Sequence, residues 1–171
     1  MPLLLTAAAL PALVLGPVSI DGDFDDWSGL PVLTTDAAGD ASGGFDVTRV
    51  KATGAGSVLA VQFDVGQDLN YQSGAGSQGT LLVRLAIHGG PVVELDCRDR
   101  AFTVGGSSVP WTAVDFAGAP TFADDEFEMR FDLATWGVGP GSQVDVSFAG
   151  SDTVAPVTVT MGAASSPPAE R

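Results

Sequence analysis

The sequence predicts an all-β fold, an antiparallel β-sandwich of jelly-roll or immunoglobulin-like two-sheet type, on three observations. Apolar residues recur with period two over most of the chain, Gly- and Pro-rich turn signals separate the alternating runs, and nothing beyond the first sixteen residues sustains the 3.6-residue spacing of a helix. In chain order, residues 47–53 are a weak strand candidate. Leu59, Val61, Phe63 and Val65 alternate with Ala60, Gln62 and Asp64, as a half-buried strand requires. Leu81, Val83, Leu85 and Ile87 repeat the pattern, followed by Val93, Leu95 and Cys97. Residues 101–104 are again weak. Phe127, Met129, Phe131 and Leu133 alternate with Glu126, Glu128, Arg130 and Asp132, so Glu128 reads as an outward residue facing Arg130 or Arg84. Val144, Val146 and Phe148, then Val157, Val159 and Met161, complete the set. Turns are expected at 54–57, 74–79, 89–91, 105–108 and 137–141.

At 171 residues and 45% hydrophobic content the chain is one domain's length, long enough to bury a core without disulfide staples. Asp and Glu number 21 against 7 Lys and Arg, a net charge of −14. That field repels phosphate, so nucleic acid and anionic membrane are poor partners. A single cysteine, Cys97, excludes an intrachain disulfide framework and any multi-cysteine zinc site, and every histidine-dependent mechanism would hang on His88.

Residues 3–15 form an apolar run of signal-peptide length, too short to span a bilayer. The expected division is a signal peptide at 1–16, a β-sandwich domain at 17–161 and a small, Pro-rich tail or linker at 162–171, with a secreted, periplasmic or cell-surface location.

The stretch Ile20-Asp21-Gly22-Asp23-Phe24-Asp25-Asp26-Trp27 is strongly acidic, Asp36, Asp40 and Asp46 follow, and the first base is Arg49. Asp21, Asp23 and Asp25 are spaced so that alternate oxygens can converge on calcium, a hard ion taking six to eight oxygen ligands. The competing reading is a solvated turn whose aspartates cap backbone amides while Trp27 plugs one end of the sandwich core.

"IDGDFDDW", the later "FDVTRVKATGAGSVLAVQFDV" and "FEMRFDL" at 127–133 resemble the family 9 carbohydrate-binding modules and their DOMON-like relatives. The resemblance implies an exported β-sandwich, often appended to a catalytic or surface-attachment polypeptide, that binds sugar in some members and haem in others. It also implies structural calcium in some members, at positions matching Asp21, Asp23 and Asp46; the repulsion among the acidic residues of this segment keeps Asp25, Asp36 and Asp40 as reserve ligands.

Sugar recognition needs an aromatic face for the pyranose C–H surface and polar groups at its rim. Trp111, Trp136 and Tyr71 lie in turn-rich segments, and Asn70 and Gln72 flank Tyr71 with their amides on one side. Haem is disfavoured because His88 and Met129 belong to opposed strand faces. No Gly-x-Ser-x-Gly elbow accompanies His88, and the Gly-rich string at 74–79 precedes a strand instead of opening a helix. The expected function is therefore a non-catalytic binding or accessory module for carbohydrate, with structural calcium. The alternative is a calcium-stabilised structural domain without a small ligand.

Overall fold

The computed structural model describes residues 18–69, 79–120 and 124–164. Among these residues eleven strands form two antiparallel sheets. The first takes β1 (Thr34–Thr35), β2 (Val47–Ala55), β3 (Val58–Leu69), β9 (Asp124–Asp132) and β8 (Asp115–Ala119), in the order β1-β2-β3-β9-β8. The second takes β4 (Leu81–Ile87), β5 (Val92–Asp96), β6 (Ala101–Val104), β7 (Ser107–Val109), β10 (Gln143–Gly150) and β11 (Val154–Thr160), in the order β11-β10-β4-β5-β6-β7. The sandwich expected from the alternation is thus the fold observed.

The inward residues of both sheets make one core. On the first sheet Leu59, Val61 and Phe63 stand opposite Phe131, Met129 and Phe127, and all six are buried. Phe63 stacks on Phe127 at 5.7 Å between centroids and meets Phe148 of the other sheet edge-on at 5.0 Å, so one ring ties the layers together. Cys97 is buried in this core. Where β2 passes the end of β11 the sandwich closes through Gly56 N donating to Gly162 O and Gly162 N to Gly54 O, both 2.9 Å. Gly162, assigned by sequence to the tail, is therefore bonded to the fold. Gly54 permits the approach, because a side chain there would run into Met161 Sδ.

Trp27 does not plug an end of this core. It is fully buried in a separate cluster with Leu30 and Ala60, and Ala60 sits on the outer face of β3, between core-facing Leu59 and Val61. Residues 18–30 thus form a strap across the outside of the first sheet. Among the described residues no helix is long and apolar enough to cross a membrane.

Candidate functional site

Three places combine chemistry with geometry: a cleft at the β8 edge, a carboxylate cluster at one end of the sandwich, and the polar rows beneath the strap.

The cleft has a volume of about 150 Å³ and lies between the β8 edge and the turn joining β5 to β6. Along β8 the core-facing positions read Phe116, paired with Phe131, and Gly118, paired with Met129. Gly118 makes room for the Phe116 ring, which a side chain there would strike, and the cleft beside them is lined by Leu95, Cys97 and Met129, with Arg100 and Trp111 also on its wall. Trp111 opens a single 3₁₀ turn, Trp111–Ala113, after Pro110, and 43% of it is exposed. Its ring is held against Phe102 at 4.7 Å and Phe116 at 5.5 Å. Arg100 is exposed and holds a left-handed backbone, φ 50°. Trp136, in the 3₁₀ turn Ala134–Trp136 after β9, is half-buried against the core and does not line the cleft with Trp111. Tyr71, Asn70 and Gln72 lie outside the described residues.

The carboxylate cluster brings one oxygen each of Asp36, Asp40 and Asp152 within 4.8 Å of one another. Asp152 is buried, with Oδ2 accepting from Val47 N at 2.7 Å and Oδ1 from Thr153 N at 2.6 Å, so it also anchors the irregular start of β2. Asp46 stands nearby, with Oδ2 accepting from Gly39 N at 2.7 Å while its buried Oδ1 has no hydrogen-bond partner. Loss of solvent and then the charges of Asp36, Asp152 and Asp46 push the Asp40 carboxyl above its usual range, although Asp40 itself is exposed. The converging oxygens of Asp36, Asp40 and Asp152 are a donor set that suits a hard divalent cation, with the charge of Asp46 close by but outside that set.

Asp21 and Asp23 are placed elsewhere. Both are exposed, and their Oδ1 atoms accept from Asp23 N at 3.0 Å and Asp25 N at 3.1 Å, each closing a local turn two residues on. The structure therefore sets Asp46 near Asp40, beside the converging Asp36, Asp40 and Asp152, while Asp21 and Asp23 serve local turns. Sequence reasoning missed Asp152 because it follows its partners by more than 100 residues, with no motif around it.

Beneath the strap, Glu128 is completely buried, not turned to solvent toward Arg130 or Arg84. Its Oε1 accepts from Asp21 N at 2.6 Å and Gly22 N at 2.7 Å, and Oε2 accepts from the Trp27 indole at 2.8 Å. Lys51 Nζ donates to Trp27 O at 2.9 Å. Arg84 is paired with Glu94 on the other sheet at 2.8 Å. In the next row Arg49 lies 2.6 Å from Asp64, off the hydrogen-bond line at Nε, and bonds Glu126 at 2.7 Å. Burial and then the neighbouring carboxylates raise both acids above their usual range, against the pull of Arg49. His88 is bound to Asp145 at the surface at 3.0 Å, while Met129 is in the core.

No protein-family model matches the chain, and a search of curated proteins finds no match to it.

Proposed function

We propose that the chain is an exported, non-catalytic binding module of the family 9 carbohydrate-binding type, and that its ligand end is the Trp111 cleft. The observation that carries this is the exposed indole of Trp111, fixed from behind by Phe102 and Phe116, at a cleft with Arg100 on its wall. A rigid, half-open ring loses little freedom when a pyranose lays its C–H face on it, and a nearby guanidinium offers several donors to hydroxyls. A cavity of about 150 Å³ accepts a benzene-sized ring, so the cleft is scaled to a ring-sized substituent of a sugar. Trp111 alone then supplies the stacking surface of this cleft among the described residues.

Titration calorimetry against a panel of soluble glycans tests this. Trp111→Ala is expected to weaken binding by about 1–3 kcal/mol, because stacking area is lost while polar contacts remain. Equal affinity of wild type and Trp111→Ala for every binding glycan would sink the reading.

A second reading, a calcium-stabilised structural domain, is favoured by the convergence of Asp36, Asp40 and Asp152 with Asp46 beside them. Calcium-dependent thermal stability is its measurable sign.

A further inference from the structure

Lys51, Gln62 and Glu128 form one cross-strand row on the outer face of the first sheet, Lys51 registered opposite Gln62 and Gln62 opposite Glu128. All three are withdrawn from solvent, with exposures of 9%, 2% and 0%. Trp27 spans the row from above: its carbonyl receives Lys51 Nζ at 2.9 Å, and its indole reaches Glu128 at 2.8 Å. The carboxamide between those two anchors is sealed under the strap, and its Oε1 has no hydrogen-bond partner.

This is an expensive arrangement as it stands. A buried amide oxygen without a donor carries an unrepaid desolvation penalty, and a buried ammonium carries a larger one unless it is paired. It also sets the parts of an acyl transfer in one row, an amine registered opposite a carboxamide and a carboxylate registered opposite that carboxamide on its other side, in a site withdrawn from solvent. Side chains directly opposite across an antiparallel pair have Cβ atoms about 4.5–5.5 Å apart, so the four-carbon arm of Lys51 can bring Nζ to Gln62 Cδ.

We propose that Lys51 and Gln62 are joined by an intramolecular amide bond, formed with Glu128 as the proton carrier. Glu128 takes a proton from the Lys51 ammonium, freeing the lone pair on Nζ. Nζ adds to Gln62 Cδ, and the Nζ–Cδ bond forms as the Cδ–Nε2 bond breaks. Two of the three ammonium protons leave with the carboxamide nitrogen, which departs as ammonium, and the third remains on the new amide. No oxidant or reductant is consumed. The product replaces a buried charge and a primary amide by one neutral secondary amide, which relieves the cost described above. Trp27 acts as the cover that excludes water from the carbonyl.

Intact-mass spectrometry of the purified, folded full chain decides the matter. The expected mass is about 17 Da below that of the unmodified chain, one ammonia lost in the acyl transfer. Peptide mapping should locate the loss in a branched species joining the Lys51 and Gln62 peptides. Lys51→Arg should restore the full mass, and so should Glu128→Gln. Wild-type protein at its unmodified mass overturns the proposal, as does a loss that maps elsewhere or persists in Lys51→Arg. A cross-link retained in Glu128→Gln overturns the role given to Glu128.

Discussion

Glu128 shows how far a single residue's surroundings can depart from its strand pattern. Period-two alternation turns it away from the core, which is correct, and outward then implies water, which is not. The cover comes from a segment more than 100 residues earlier, so no window around Glu128 could disclose it. Three donors converge on one carboxylate, and truncation leaves the buried Trp27 indole and two strap amides without an acceptor. Glu128→Ala should therefore cost about 3 kcal/mol or more in urea unfolding. Asp115→Ala, at an exposed strand position, should stay within about 0.5 kcal/mol. Comparable losses from the two would remove the special status of Glu128.

Strands with strong alternation, such as β3, β4, β9 and β10, were legible because one apolar face drives their burial. β8 was not, since Asp115-Phe-Ala-Gly-Ala carries a single large apolar side chain, and β7 is three residues of Ser-Ser-Val. Trp111 could be picked out as a turn aromatic, but the cleft beside it is assembled from β5, the turn after it, β8 and β9, a convergence that no local window of sequence reveals. The outer row of β2, β3 and β9 has its own titration behaviour. The folded state holds the Asp64 and Glu126 protons at pH values above 3.8 and 4.5, where the unfolded chain has released them. Folding then binds more protons than unfolding, so this row's contribution to stability is greatest at low pH and is lost as pH rises through the raised values. Asp132 and Asp145 act oppositely: hydrogen bonds from Ser57 and Thr158 respectively lower them, and their contribution is lost as pH falls below 3.8. Glu126→Gln should flatten the decline in stability as pH rises above 4.5 in urea titrations. An unchanged slope would show that the row does not control it.

At the scale of the whole molecule a net charge of −14 opposes compaction, and the clustered aspartates concentrate that repulsion at one end. Sodium chloride should raise the melting temperature by screening. A cation held only by the folded state adds RT ln(1 + [L]/Kd), about 2.7 kcal/mol when free calcium is a hundred times Kd. Millimolar calcium should therefore raise the melting temperature above an ionic-strength-matched sodium control, and Asp40→Asn should remove most of that difference. Equal melting temperatures in calcium and sodium would leave the cluster as a solvated acidic edge.

The strap also sets an order in time. Trp27 finds Glu128 101 residues further on, and Val47 finds Asp152 105 residues further on. Both ties close loops spanning more than half of the 171-residue chain, whose entropy must be lost before either contact returns any stability. A polypeptide emerging amino end first has Trp27 available long before Glu128 exists to receive it. The outer face of β2 and β3 therefore stays wet while the hairpin between them forms, and drying it is the act that records the arrival of β9.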